Sequence, residues 1–292
     1  MKPAPFKYYA PTTVDEALVR LAEHGWDAKV LAGGQSLIPM MNFRIAQPAV
    51  LVDLNHVSEL FYIRPDENGG LLLGAMTRQS QVEHDALVAE RAPLVHEVMP
   101  QIAYPQIRSR GTFGGSLAHA DPSAELVAVS LALKARLRLR SQAGERWVPA
   151  DEFFVGLFTT VLEPDELLVE VALPPMPPRS GWSFLQVTRR HHDFCIAGVA
   201  VLVTLDEKGQ CEQARLIFLS VGDGPVNAQL AAETLIGQTP TPEVIRAAAE
   251  KAASDEIDPG GDIHASAEYR RHLSKVLARR TLTQAFDRAR RG

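Results

Sequence analysis

The sequence predicts an α+β chain in two parts, and three observations carry that reading. The first 55 or so residues read strand–helix–strand–loop–strand, a βαβ-type unit. A proline-rich breaker, "PPMPPRSG", then interrupts the pattern near residue 178. Beyond it the order is strands first and helices last, with a change of hydrophobic period. These place a boundary that separates residues 1–177 from 178–292.

The elements follow in order. "PTTVDEALVRLAEHG" reads as a helix: Thr13 and Glu16 form an S/T-x-x-E capping box, Val14, Ala17, Leu18 and Leu21 recur at helical spacing, and Gly25 ends it. "AKVLAG" reads as a buried strand and "AVLVDL" as a second. "FYIR" and "LLLGA" form a hairpin around "PDENGG". "PLVHEVMPQIA" is helical. "GTFGGSLAHADPSAELVAVSLALKA" reads as a Gly-rich loop running into a helix, and "ARLRLRS" with "ERWVPA" as an alternating hairpin. After the prolines come three antiparallel strands, "WSFLQVTRR", "CIAGVAVLVTL" and "CEQARLIFLSVG". The remainder is helical, and its basic last helix should show an apolar stripe of Tyr269, Leu273, Val276 and Leu277 beside a solvated face.

Composition limits the function classes. The chain has 292 residues, 46% apolar and 22% charged, which suits a globular protein with a real core. A net charge of −5 gives no reason to invoke nucleic acid. Its two cysteines, Cys195 and Cys211, lie far apart, so neither a disulfide framework nor an iron–sulfur site made by this chain alone is expected. The N-terminus "MKPAPFKYYAP" has no apolar signal core, and no stretch is long enough to span a bilayer, so a cytoplasmic protein is expected.

Two glycine clusters carry the chemistry. In "KVLAGGQSLIPMM", Gly33 and Gly34 end a strand; without Cβ atoms they can take positive φ and leave successive N–H groups exposed. Such a nest suits a phosphate, and Ser36 could cap the segment that follows. Taken alone, a Gly-Gly turn between a strand and a helix is more often plain punctuation. In "RSRGTFGGSLAHADPSAEL", Gly111, Gly114 and Gly115 stand with Thr112 and Ser116 before a helix. Two loops could grip a pyrophosphate from two sides. Asp121 and Glu125 add carboxylates that suit sugar hydroxyls, although Asp121 could serve as a helix cap and Glu125 as a first-turn acid. Neither loop fits G-x-G-x-x-G, which disfavours a Rossmann domain.

These residues resemble a known family. "LAGGQSLIPMMNFRIAQPAVLVDLN" is similar to the first flavin motif of the FAD-binding middle subunits of molybdenum hydroxylases, the carbon monoxide dehydrogenase and xanthine dehydrogenase family. "IRSRGTFGGSLAHADPSAELVAV" resembles its second motif, "RRHHDFCIAGVAV" its third and "SAEYRRHLSKVLARRTL" its C-terminal helix. The resemblance implies an FAD-binding domain of two α/β subdomains (the PCMH-type fold), divided near residues 55–60. A C-terminal domain with a three-stranded antiparallel sheet and a helical bundle would follow. It also implies partners: a small subunit with two 2Fe–2S clusters and a large molybdopterin subunit, assembled as a dimer of heterotrimers. Electrons would pass from the clusters through FAD to an external acceptor.

The resemblance also implies site residues. Ala32, Gly33, Gly34, Gln35 and Ser36 match the first pyrophosphate loop, and Thr112, Gly114, Gly115 and Ser116 the second. Ile102 and Ala103 match positions near the isoalloxazine. Asp121 and Glu125 fall in the segment that contacts the cofactor's hydroxyls. Phe194 matches the residue beside flavin N5, a gating position; a core aromatic at the start of "CIAGVAV" is its other reading. Two departures stand out: Leu185 replaces a lysine of some relatives, and His192 replaces a glycine of many.

Other residues stay open. Arg108 and Arg110 either offset pyrophosphate charge or meet a partner chain. His119 either bonds the cofactor or is structural. "RRHHD" places two histidines on opposite faces of a strand, which opposes joint metal binding. The competing function is a stand-alone FAD oxidoreductase of the vanillyl-alcohol-oxidase-like fold, and a nucleotide-binding sensor is a third.

Overall fold

The computed structural model describes residues 1–291. Its first layer is a small parallel sheet of β1 (Lys7–Tyr9), β2 (Ala28–Leu31) and β3 (Val50–Asp53), in the order β1-β3-β2. Helix α1 (Val14–His24) makes the crossover, and its stripe of Val14, Ala17, Leu18 and Leu21 packs on Val50 and Val52. Thr13 caps α1 by accepting from the Glu16 N–H. Glu16, however, turns back to the Thr12 N–H and hydroxyl rather than to Thr13, so the expected capping box is displaced by one residue. Strand β3 is buried along its whole length, whereas β2 is an edge strand with Lys29 exposed. An edge strand has a neighbour on one side only, which is why "AKVLAG" is less buried than its composition suggests.

After α2 (Leu37–Asn42), a second sheet is built from β4 (Ile63–Pro65), β5 (Leu71–Gly74), β6 (Arg136–Ser141) and β7 (Gly144–Pro149). A small hairpin, β8 (Phe154–Gly156) and β9 (Thr159–Thr160), precedes its last strand, β10 (Leu167–Leu173). The order is β4-β5-β10-β6-β7, antiparallel throughout. Between β5 and β6 run α3 (Gln79–His84), α4 (Ala86–Arg91), α5 (Pro93–Val98), α6 (Pro105–Arg108), α7 (Phe113–His119) and α8 (Glu125–Ala132). Every residue of α8 is buried. A helix apolar on all sides must be covered on all sides, and α8 lies between the second sheet and the C-terminal sheet.

A one-turn helix, α9 (Ala150–Phe153), follows β7. The C-terminal sheet has three long antiparallel strands, β11 (Ser180–Thr188), β12 (Cys195–Leu205) and β13 (Cys211–Leu219). A two-residue strand, β14 (Val226–Asn227), extends its edge. One face of β12, through Ala197, Val199, Val201 and Val203, packs on α10 (Gln229–Glu233), α11 (Pro242–Lys251) and α12 (Ala267–Ala289). The opposite face shares a core with α5 and α8. The buried stripe of α12 is Ser274, Leu277, Ala278, Thr281, Leu282, Ala285 and Phe286, while Tyr269 is 47% exposed. The stripe expected from the sequence is therefore rotated, because small residues let α12 lie close on the sheet. No helix among the described residues is long and apolar enough to cross a membrane.

Candidate functional site

The first glycine cluster follows β2, where Gly34 takes φ +73° and turns the chain away from the sheet. The Gln35 side-chain amide donates to the Gly33 carbonyl at 3.0 Å and braces the turn. The backbone N–H groups of Gly33, Gly34, Gln35 and Ser36 find no acceptor among the described residues. Four consecutive open donors make an anion-binding concavity. Ser36 precedes α2 but makes no capping bond, contrary to expectation. Its backbone is helical rather than extended, which turns the hydroxyl away from the following N–H groups.

This loop opens onto a groove of about 350 Å³, lined also by Asp53, Asn55 and Arg110. Asp53 is buried and satisfied: Tyr8 donates to it at 2.6 Å and the Asn55 N–H at 2.9 Å. The Asn55 side-chain amide donates to the Ala32 carbonyl at 3.0 Å, fixing the start of the loop. Arg78 then joins the two glycine clusters, donating to Asn55 Oδ1 and to the Arg110 carbonyl. The clusters touch directly, since a Cβ on Gly33 would stand 2.4 Å from the Arg110 carbonyl oxygen.

The electrostatics favour an anion. Burial, and next the charge of Arg110, pull the Arg78 pKa below its ordinary value. The Arg110 guanidinium lines the groove without an acceptor among the described residues. Two guanidiniums close together beside open N–H groups, against the single carboxylate of Asp53, leave a net positive field.

The second cluster is not the loop expected. Gly114 and Gly115 lie inside α7, which Thr112 caps by accepting from the Gly115 N–H at 3.1 Å. The Phe113 and Gly114 N–H groups bond the Thr77 and Ala75 carbonyls, both at 2.9 Å, and the Ser116 N–H bonds Thr112. The backbone donors here are therefore consumed, and Thr112 is buried with its hydroxyl oxygen capping α7, which leaves the half-buried Ser116 as the more open hydroxyl of the cluster. None of Thr112, Gly114, Gly115 and Ser116 lines the groove. Arg108 fits neither of its readings, being only 4% exposed and bonded within the chain to Glu83, Ile102 and Ala103.

The third motif comes to a different neighbour. Residues 190–193 form a turn rather than a strand, closed by the Asp193 N–H on the Arg190 carbonyl at 3.0 Å. His192 takes φ +69°, the conformation that explains why a glycine suits this position. The His192 ring packs on Tyr104 at 5.1 Å, next to Ile102 and Ala103. Phe194 is 79% exposed, which excludes its reading as a core aromatic. Leu185 packs against the C-terminal core.

Asp121 caps a turn onto the Ser123 N–H at 2.8 Å and not α8, which begins after Ala124. Glu125 is the first residue of α8 but is buried, held at 3.0 Å by the Gln186 amide of β11. Burial pushes its pKa up to about 7, against the pull of its own N–H and of Gln186. His119 stacks on Phe158 at 5.1 Å, and burial lowers its pKa. Neither carboxylate lines the groove.

Sequence reading named Arg110, with pyrophosphate charge as one of its two readings, but passed over Tyr8, Asp53, Asn55 and Arg78. "LVDLN" lies inside the first motif, so Asp53 and Asn55 were within reach as polar residues ending an apolar strand. Arg78 carries no local signal; only folding brings it between the clusters.

Comparison with known proteins gives the class first. Residues 4–176 match the FAD binding domain in molybdopterin dehydrogenase, and residues 182–285 match the CO dehydrogenase flavoprotein C-terminal domain. The chain is thus an FAD-binding oxidoreductase subunit. It is 43% identical to the 6-hydroxypseudooxynicotine dehydrogenase complex subunit alpha of Paenarthrobacter nicotinovorans, over 99% of this chain and 97% of that one. It is 38% identical to the caffeine dehydrogenase subunit beta of Pseudomonas sp. (strain CBB1), with the same coverage. The solved carbon monoxide dehydrogenase of Hydrogenophaga pseudoflava superposes with a TM-score of 0.95 at 37% identity, covering 99% of each chain. The chain belongs to the family of FAD-binding medium subunits of carbon monoxide dehydrogenase and xanthine dehydrogenase type, as its motifs indicated.

Proposed function

We propose that this subunit takes electrons from 2Fe–2S clusters of a small partner subunit and passes them through FAD to an external acceptor. The large partner would carry the molybdopterin cofactor at which substrate is hydroxylated, in a dimer of heterotrimers. The relatives named are subunits of dehydrogenases over their full length, which favours this over a stand-alone oxidase.

The observation that carries the reading is the row of open N–H groups at residues 33–36 beside the unpaired Arg110. They fit a pyrophosphate: the donors are backbone groups fixed in place, and the cation offsets the charge. The groove lies at the small end of the about 300–1,000 Å³ usual for ligand sites, and so suits the middle of a dinucleotide rather than its whole length. The Thr112 and Ser116 hydroxyls approach from the second cluster, and Gly114 and Gly115 let α7 pack close behind them. Ile102 and Ala103 line the ring system, Phe194 covers its N5 edge, and Asp121 and Glu125 serve the sugar hydroxyls. Bound FAD supplies the redox chemistry, and the chain supplies position, charge and access.

The test is direct. Denaturing the purified complex should release FAD. Release of FMN, which has no pyrophosphate, would refute the reading. Substrate should bleach the flavin in the assembled complex and leave it oxidised in the isolated subunit; bleaching in the isolated subunit would favour the stand-alone reading.

A further inference from the structure

Arg108 ends α6 with almost no exposure, and a buried guanidinium must be paired on all sides. Its Nε and Nη2 fork onto the Glu83 carboxylate of α3 at 2.7 and 2.9 Å. Its Nη1 donates to the Ile102 carbonyl and to the Ala103 carbonyl, both at 2.8 Å. Four of its five donors are therefore used inside the chain, and none of these bonds serves the groove. What they hold is a turn. Ala103 takes φ +40°, a left-handed conformation that an alanine leaves unless its surroundings fix it. Two successive carbonyls aimed at one point also repel each other unless a cation stands there. Arg108 supplies that cation, and Glu83 locks the plane of the guanidinium. Ile102 of the turn is 8% exposed and anchored in the core, while Tyr104 is 52% exposed and meets His192 of the third-motif turn.

We propose that the Glu83–Arg108 pair is a positioning device for the flavin ring. It fixes the Ile102–Ala103–Tyr104 turn as a wall of the ring pocket and, through Tyr104 and His192, sets the Phe194 loop in register with that wall. This rests on the placement of the ring beside Ile102 and Ala103. The cofactor's grip lies elsewhere, at residues 33–36 and Arg110, so the pair governs the environment of the ring and not its retention. A lysine cannot take over the role, because a point charge lacks the fork that holds a carboxylate and two carbonyls at once.

The experiment compares Glu83→Gln, Arg108→Lys and Ile102→Ala in the assembled complex. FAD stoichiometry, the visible circular dichroism of the flavin and its midpoint potential are read for each. Glu83→Gln keeps a neutral hydrogen-bonding partner and guards against a fold lost in Arg108→Lys. Expected are full FAD content in Glu83→Gln, with an altered flavin dichroism and a displaced potential, and the same direction of change in Ile102→Ala. If Ile102→Ala moves both signals and Glu83→Gln moves neither, the positioning role is overturned while the ring's placement stands. If Ile102→Ala also moves neither, the placement itself is wrong. Loss of FAD from a folded Glu83→Gln variant would put the pair in the grip and overturn the proposal.

Discussion

Replacing Glu125 with glutamine should stabilise the protein above neutral pH and leave it unchanged in acid. The native carboxyl is buried, and its pKa stands at about 7 against an ordinary 4.5. Unfolded chain therefore releases this proton near pH 4.5, whereas native protein holds it to about pH 7. Between those values the native state binds more protons, so stability falls as pH rises and levels off above 7. At about 1.4 kcal/mol for each tenfold change in proton affinity, the displacement is worth about 3 kcal/mol. Glutamine is neutral at every pH and close in shape. Its amide can donate to Gln186 Oε1, which is buried without a partner in the present amide orientation, after a flip of that side chain. The variant should thus match wild type near pH 4.5 and exceed it by up to about 3 kcal/mol at pH 8. With an unfolding entropy of about 2.1 cal/mol/K per residue, that is a rise of roughly 5 °C in melting temperature. The assay is thermal or urea unfolding of both proteins freed of FAD across that range, so that cofactor binding, which Glu125 is proposed to serve, does not enter the difference. Parallel pH profiles, or a variant less stable at pH 8, would refute the assignment of a buried, protonated Glu125.

Three further outcomes follow from the site. Gly33→Ala drives a Cβ against the Arg110 carbonyl and should cost about 1–3 kcal/mol and lower FAD occupancy, whereas Gly260→Ala, with open space around it, should do neither; equal occupancy in both would mean that the two clusters need not touch. Arg110→Ala should weaken FAD binding at least tenfold with little change in melting temperature, since the side chain has no partner to lose; unaltered binding in a titration would remove it from the pyrophosphate site. Phe194→Ala should keep both FAD and the melting temperature, the side chain being 79% exposed, and change only the rate of flavin reoxidation in stopped flow; an unchanged rate per bound flavin would reject the gating role.

The sequence alone determined what local pattern and chemistry can carry. The stripe of α1 and the hairpin β6–β7 follow from periodicity, because burial on one face leaves a repeat of 3.6 or 2 in the chain, whereas β12, buried on both faces, follows from an apolar run bounded by turn residues. The motifs around Gly33 and Gly115 also identified the family, since long runs of residues must be held together around one cofactor. Tertiary structure decided which of those glycines keep free donors. Gly33 and Gly34 follow an edge strand and turn along the groove, where no carbonyl meets their N–H groups, whereas Gly114 and Gly115 sit in a helix laid against residues 75–77, where the neighbouring carbonyls and Thr112 consume theirs. It also separated two arginines that read alike in "RSR": Arg108 is sealed against Glu83 and two carbonyls, and Arg110 faces the groove. No local pattern distinguishes them, because the partners that seal Arg108 lie on α3 and on the turn before α6, and the groove that Arg110 faces is closed by residues 53 and 55 after β3. A hydrogen bond is a relation between segments that only the folded chain brings within 3 Å.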